Sequence, residues 1–223
     1  MSVVIGPPAT HLLFENADVK VWMMDVAPGE TYPHHYHDHD YVLFYTTDVL
    51  ATVHDEAPSE HTEVWNARYD HGDGAPAAGI WTYAHSVFFI PGTGFLSPGF
   101  VNIGPTPMVA PLVEITRPRR DDQAQLGFAR SDALIGLSPA PTARLLENDR
   151  MTVSYTVISP SGEAALGAQR ESAVCVIDGG ELRDERGDIT TVAARTGSWR
   201  EAGHQRVINV GSTTYRELSV ELK

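Results

Sequence analysis

The chain contains an internal repeat, and this repeat constrains its fold more than any other feature. Near the start, residues 13–16 read Leu-Phe-Glu-Asn, and residues 145–148 read Leu-Leu-Glu-Asn. Near the end of each copy, Asn-Ile-Gly at 102–104 corresponds to Asn-Val-Gly at 209–211. Repetition over this length predicts two similar lobes of roughly a hundred residues each, joined in tandem.

The two copies differ in the middle. Residues 33–41 of the first copy read Pro-His-His-Tyr-His-Asp-His-Asp-Tyr, whereas residues 165–172 of the second read Ala-Leu-Gly-Ala-Gln-Arg-Glu-Ser. Both copies then close on a Val-Glu pair, at 113–114 and at 220–221, with the same spacing from the Asn-x-Gly ending. Because only the first copy has histidines between these matched ends, the first lobe is predicted to carry metal chemistry that the second lobe lacks.

The composition argues against several classes of protein. A formal net charge of −13 argues against nucleic-acid binding, which depends on clustered Lys and Arg side chains. No apolar run approaches the ~20 residues that a membrane helix needs, so no membrane contact is expected. We see no secretory signal, and the single cysteine, Cys175, cannot form an internal disulfide. A cytoplasmic protein with a buried, unreactive thiol is expected.

The secondary-structure pattern is mostly β. Short runs rich in β-branched and aromatic residues are bounded by Gly, Pro or Asp, which predicts an all-β fold of sandwiches or barrels. We place the first lobe at 1–117, a linker at 118–141 and the second lobe at 142–223, with room for a short helix in the linker. The first lobe is longer, and its excess falls in a polar segment near 54–79. That segment is either a loop over the site or a tolerated surface loop.

The histidine-rich segment has an informative spacing. Gly29 is followed by five residues and then by His35, Tyr36 and His37. This spacing resembles the first motif of the cupin superfamily, and the whole repeat resembles a tandem cupin with a degenerate second lobe. The resemblance implies two tandem double-sheet β-barrels of the jelly-roll type. Because alternate strand residues share a face, His35 and His37 are expected to point into the first barrel and to hold one divalent metal ion.

The chain departs from the family pattern at the other ligand positions. Tyr41 occupies the place of the family's Glu ligand, and Asp40 reaches the metal only if the strand bulges. Pro98 occupies the place of the histidine in the family's second motif. Two further histidines are candidates to complete the site. His39 reaches it if its segment keeps the inward parity, and His85, which we favour of the two, approaches from a later strand across the barrel.

The second lobe repeats the ends of the first without its ligands. Ala168 and Arg170 stand near the positions of the histidine pair, and Gln205 stands where the second-motif histidine is expected. A lone His204 beside a glycine turn is better explained as a surface or packing residue than as a ligand. We therefore expect a barrel without metal that supports the first.

The resemblance and the histidine pair indicate a metal-dependent enzyme acting on a small-molecule substrate. An oxygenase or dioxygenase is the leading hypothesis, with iron favoured and zinc, nickel, copper or manganese as alternatives. A second hypothesis is a non-redox isomerase, lyase or cyclase, in which Tyr41 or His85 donates a proton. A third is a small-molecule binding protein without catalysis. The resemblance also implies a homodimer formed through barrel edge strands, which otherwise stand exposed.

Overall fold

The described part of the chain is all-β. A computed structural model describes residues 5–53, 79–82, 84–92, 94–97, 99–119, 129–132 and 140–223. These ranges form strands, turns and bends without a helix, and they contain no helix that could span a membrane. Pro98 and nearly all of the polar segment at 54–79 lie outside the described residues.

The strands of the first lobe form one large sheet that is faced by two smaller ones. They are β1 (Ile5–Gly6), β2 (His11–Glu15), β3 (Val19–Val26), β4 (Thr31–Tyr32), β5 (His34–His37), β6 (Asp40–Phe44), β7 (Val49–Val53), β8 (Gly79–Thr82), β9 (Ser86–Ile90), β10 (Phe95–Ser97), β11 (Phe100–Asn102), β12 (Met108–Ile115) and β13 (Ala129–Asp132). The six-stranded sheet has the order β13-β9-β6-β12-β3-β2, and the smaller sheets have the orders β4-β11-β7-β8 and β1-β5-β10.

The second lobe repeats this plan with one large and one smaller sheet. Its strands are β14 (Thr142–Glu147), β15 (Met151–Ile158), β16 (Glu163–Ala168), β17 (Ser172–Asp178), β18 (Gly180–Asp184), β19 (Ile189–Val192), β20 (Thr196–Arg200), β21 (Gly203–Asn209) and β22 (Tyr215–Leu222). The five-stranded sheet has the order β14-β15-β22-β17-β20, and the four-stranded sheet has the order β16-β21-β18-β19. The predicted fold class, two tandem β-barrels, is confirmed.

The large sheet of each lobe is buried on both faces. In β6, Val42 and Phe44 pack into a cluster that both lobes share, whereas Tyr41 and Leu43 pack inside the first barrel. We call the shared cluster the interlobe core. From the second lobe it contains Val153, Tyr155, Cys175, Leu218 and Val220, among others. Burial on both faces explains why these strands are continuous apolar runs instead of alternating ones.

The repeated asparagines explain why the two copies have the same ends. Asn16 and Asn148 each accept two backbone N–H groups through Oδ1, at distances of 2.9 to 3.1 Å. Asn102 and Asn209 each donate from Nδ2 to two backbone carbonyls and accept one backbone N–H, at 2.7 to 3.0 Å. Each asparagine therefore pairs buried or partly buried backbone groups of its turn.

Part of the expected linker belongs to the first lobe. β13 pairs antiparallel with β9 at the edge of the six-stranded sheet. A strand thus occupies 129–132, within the segment where the sequence allowed a short helix. The last residues of the first lobe then contact the second, because Arg117 forms ion pairs with Asp18 at 2.8 Å and with Glu171 at 3.1 Å.

Candidate metal centre in the first barrel

The two histidines of the motif lie together inside the first barrel. Gly29 makes the preceding turn with a φ of 79°, a conformation that favours glycine. β5 then carries His35 and His37 on one face, each only 3% exposed. Their ring centroids are 4.7 Å apart, edge to face. The predicted inward parity of the pair is therefore observed.

Both imidazoles are held in the neutral form, which is the form that binds metals. Burial lowers the pKa of His35 to about 4, against an opposing hydrogen bond to the carbonyl of Pro33. Burial also lowers the pKa of His37 well below its usual range, and the nearby His35 lowers it further. The His35 Nδ1 lies 3.1 Å from the Pro33 oxygen, and because a carbonyl only accepts, Nδ1 carries the proton. The lone pair of Nε2 is then available to a ligand inside the barrel.

Tyr41 lies directly on the histidine pair. Its ring stacks on the ring of His37 with centroids 4.0 Å apart and an interplanar angle of 12°. The side chain is 1% exposed and belongs to the core of the first barrel. The family's Glu position is thus inward-facing here, as the spacing indicates, but it presents a phenol instead of a carboxylate.

A buried carboxyl group that the sequence analysis did not select lies next to Tyr41. Glu114 of β12 pairs across the sheet with Tyr41 on one side and with Lys20 on the other. It is 5% exposed, and its Oε2 accepts a hydrogen bond of 2.8 Å from Nε1 of Trp22. Burial raises the pKa of Glu114, and the Trp22 bond and the nearby His39 and Lys20 oppose that rise.

The sequence did contain a signal for Glu114. Met108, Ala110 and Leu112 all pack inside the first barrel, and Glu114 continues the same alternation. A charged residue at an inward-facing position of a buried strand is uncommon unless it has a function or a partner. In the sequence, the repeated Val-Glu pair marks the end of each copy, and its spacing alone does not indicate chemistry.

The structure places Asp40 in an ion-pair cluster instead of at the histidine pair. Its carboxylate lies 2.7 Å from Nε of Arg150, accepts two hydrogen bonds from Arg119, and accepts the backbone N–H of Gly92 at 2.9 Å. Burial alone would raise the pKa of Asp40, but the bonds from Arg119 and Gly92 and the two positive charges lower it. While these bonds are made, Asp40 is not available as the missing oxygen ligand.

His85 also lies away from the pair. It occupies a turn with a φ of 69° just before β9, and its ring lies 6.2 Å from that of Phe44 and 5.8 Å from that of Tyr155. Both aromatic rings belong to the interlobe core, on the opposite face of the sheet from Tyr41. The left-handed turn breaks the alternation on which the inward placement of His85 depended.

His39 lies at the bend between β5 and β6. A Cβ atom on Gly92 would stand 2.3 Å from the His39 carbonyl carbon, so only glycine fits there and the bend is fixed. His39 is close enough to Glu114 to lower the pKa of that carboxyl group. His39 is therefore near Glu114. The described residues do not place it around one metal position together with His35 and His37.

The donor set fits a metal ion in part. His35 and His37 supply two neutral, oriented imidazoles, which suit iron, zinc, copper or nickel. Among the residues that the structure describes, no group of three or more His, Cys, Asp or Glu side chains is arranged around one metal position. If both histidines bound a metal ion, two protein ligands would leave several coordination positions for substrate or water. Whether His35 and His37 hold a metal stays a prediction.

The second barrel has other residues at these positions. Ala168 is buried, Arg170 is exposed, and His204 and Gln205 are exposed on β21. His204 pairs across the strands with Gly167, a glycine with a φ of 122°. The described residues therefore place no imidazole inside this barrel.

Comparisons with known proteins support the fold. AerE from Microcystis aeruginosa has a TM-score of 0.59 and 10% identity, covering 95% of this chain and 90% of its own. The putative glyoxylate-induced protein from Pseudomonas aeruginosa has a TM-score of 0.59 and 15% identity, covering 92% and 75%. The 11S allergen from Cocos nucifera L. has a TM-score of 0.55 and 11% identity, covering 93% and 81%.

These likenesses define a class of fold and not an activity, because the identities are low. No protein-family model matches the sequence, and no curated protein matches it by sequence. The architecture is that of double-sheet β-barrels in tandem. The chain has the cupin fold in its two-barrel form, with a histidine pair in the first barrel.

Proposed function

We propose that the first barrel is the site of a metal-dependent enzyme that acts on a small organic molecule, and that the enzyme is an oxygenase. The observation that carries this proposal is the histidine pair. Two adjacent imidazoles are buried, kept neutral and, at His35, oriented by a backbone carbonyl. Core filling alone does not require two such side chains, because buried histidines cost desolvation that apolar residues do not.

The metal proposed here is iron. Bound to His35 and His37, it would supply the redox chemistry that reaction with dioxygen needs. Two protein ligands are proposed, so substrate and dioxygen would have room to approach the same ion. Zinc, nickel, copper and manganese remain the alternatives.

The rest of the barrel interior would bind and orient the substrate. Tyr32 and Phe100 pack together beside His35. The ring centroid of Tyr32 lies 5.3 Å from that of His35 and 5.4 Å from that of Phe100. With Tyr41 and Phe88 they give this interior an aromatic lining. An aromatic or other planar substrate fits such a lining better than a highly polar one.

The neighbouring side chains of Tyr41 and Glu114 would supply groups for proton transfer. Glu114 is fixed by its bond from Trp22, and Tyr41 lies between it and His37. This placement favours a second candidate function, a non-redox isomerase, lyase or cyclase, in which Glu114 moves a proton and Tyr41 orients the substrate. The metal ion would then serve as a Lewis acid.

Metal analysis and oxygen uptake separate these functions. The protein is purified without oxygen, its metal content is measured, and a panel of phenols and aromatic acids is tested for oxygen consumption. Stoichiometric iron with substrate-dependent oxygen uptake supports the oxygenase. A redox-inactive metal with substrate turnover but no uptake supports the second function, and no metal at all supports a binding protein.

Variants localise the metal. His35→Ala and His37→Ala should each lose it, whereas His204→Ala, an exposed histidine of the second lobe, should retain it. Full occupancy in either first-barrel variant would contradict the proposed centre.

A further inference from the structure

The second barrel has a polar inner wall where the first barrel is apolar. The repeat and the strand register match β3, β12 and β6 of the first lobe with β15, β22 and β17 of the second, so inward positions on these strands can be compared. Met24, Ala110 and Leu112 of the first barrel correspond to Thr156, Glu217 and Ser219 of the second. Trp22 and Tyr41 correspond to Ser154 and Ser172. The fold itself does not require this polarity, because the first barrel closes at the same positions with apolar side chains.

The register places these polar residues in adjacent rows across the five-stranded sheet. One row joins Thr152, Glu221, Ser172 and Arg200. The next row joins Ser154 and Ser219, with Val174 and Ser198 beyond them. The odd-numbered positions of β22 face inward here, because Tyr215 packs in the second-barrel core and Leu218 and Val220 pack in the interlobe core.

A buried ion pair organises this wall. The Arg200 guanidinium donates two hydrogen bonds of 2.8 Å to the carboxylate of Glu217, and the Tyr215 hydroxyl donates a third of 2.6 Å. Glu217 is 1% exposed, whereas a quarter of the Arg200 side chain, 26%, is accessible. A buried pair of this kind contributes little net stability over an apolar replacement, so its retention favours a specific role.

The wall is accessible and has unused hydrogen-bonding capacity. Thr152, Ser154, Ser219 and Glu221 are partly exposed, although they lie on the inner face of the sheet. Ser172 is fully buried, and its Oγ has no hydrogen-bond partner among the described residues. An unsatisfied buried hydroxyl is unfavourable, and a bound polar molecule or an internal water would satisfy it.

The charge balance selects the class of ligand. Arg200 and Glu217 neutralise one another, and Glu221 makes no ion pair with any described residue. The wall is therefore net negative, which disfavours an anion. Its remaining groups are hydroxyls, which donate and accept hydrogen bonds, and the Glu221 carboxylate, which accepts them, so the wall can pair with the hydroxyl groups of a ligand.

We propose that the second barrel is a binding site for a neutral, polyhydroxylated small molecule of the monosaccharide type. The site is separate from the histidine pair and does not depend on the function proposed for the first barrel. On this proposal, the second lobe has a polar binding interior of its own and does not serve only as support for the first lobe.

Binding of defined probes to the full chain tests this site. D-glucose, D-xylose and myo-inositol are tested by saturation-transfer NMR and calorimetry, with D-glucuronate as the anionic probe. At least one neutral probe should bind, and glucuronate should bind more weakly than glucose. If no neutral probe binds at millimolar concentration, or if glucuronate binds more tightly, the proposal is overturned.

Variants that copy the first barrel locate the binding. Ser154→Trp and Ser219→Leu install the residues of Trp22 and Leu112, and each should weaken binding at least tenfold. Thr152→Val, a smaller change at a partly exposed position, should weaken it in the same direction if the larger variants fail to fold. His35→Ala should leave probe binding unchanged. Loss of binding in His35→Ala, or unchanged binding in the three second-barrel variants, would assign the probe to another place.

Discussion

Replacing Asp40 by Asn should destabilise the protein without removing a metal ligand. The carboxylate is 4% exposed and faces two arginines, Arg119 from the end of the first lobe and Arg150 from the second. Arg150 is itself 6% exposed, so the change removes the negative charge that faces its buried guanidinium. Breaking one partner of such a pair costs about 3 to 5 kcal/mol.

The lower end of that range applies here. Asn keeps an acceptor for the Gly92 N–H, and Arg119 is 29% exposed, so solvent screens part of its lost interaction. We therefore expect a loss of about 3 kcal/mol in the free energy of unfolding. For a chain of this length, that corresponds to a fall of about 6 to 12 °C in Tm.

Urea unfolding at neutral pH, followed by tryptophan fluorescence and circular dichroism, measures this loss. The matched control is Asp25→Asn, because Asp25 also pairs with an arginine of the second lobe, Arg195, but at an exposed position. That control should lose less than about 1 kcal/mol. Equal losses in the two variants would refute the reasoning. Loss of bound metal from Asp40→Asn without destabilisation would refute it too, and would return Asp40 to the ligand set.

The pH dependence of the same difference provides a second check. The folded-state pKa of Asp40 is lowered, so its stabilising contribution is present above the unfolded pKa of about 4 and is lost as pH falls through the folded value. The stability gap between the native chain and Asp40→Asn should therefore shrink as the solution is acidified below about pH 4. A gap that widens on acidification would contradict the assignment.

Three further predictions concern the site and the repeat. His37→Ala should reduce bound metal, measured by mass spectrometry, to less than about a tenth of the native content, because one remaining imidazole holds a divalent ion weakly; native content would count against ligation. Glu114→Gln should lower turnover by about 10²-fold or more while leaving metal content unchanged, as expected for a proton-transfer group, and unchanged turnover would remove Glu114 from the chemistry. Asn209→Ala should cost about 2 to 4 kcal/mol in urea unfolding, because three backbone groups in one buried and two partly buried hydrogen bonds lose a partner. A loss below about 1 kcal/mol would show that water replaces the side chain.

The sequence predicted the fold well because the repeat and the short runs of β-branched and aromatic residues can be read directly from the order of the residues. The matched Asn-x-Gly endings anticipated two similar lobes, and the repeated asparagines make the same turn bonds in each. The inward placement of His35 and His37 followed from the two-residue period of a strand. The family spacing assigned Tyr41 to the Glu position, and the structure shows its ring stacked on His37; the catalytic role of Tyr41 stays a prediction.

The sequence predicted the surroundings of the pair poorly because these depend on distant residues. Asp40 is occupied by Arg150, which lies in the other lobe and has no spacing relation to the motif. His85 itself has a left-handed backbone conformation, which a parity argument does not anticipate. Glu114 becomes part of the site only because β12 pairs with β6, which brings it opposite Tyr41.

The two faces of the large sheets explain why the repeat is clear in some places and lost in others. Positions that face the interlobe core are apolar in both lobes, as in Val21 and Val153 or Val113 and Val220, because each lobe buries this face against the other. Positions that face a barrel interior do not pack against the other lobe, so they can differ between the two copies. Leu112 is apolar, whereas its counterpart Ser219 is polar. The interlobe core therefore maintains the pair of barrels as one unit while each interior is free to acquire its own ligand. On this argument, substitutions on the inner wall of the second barrel should alter ligand binding there without changing metal content in the first.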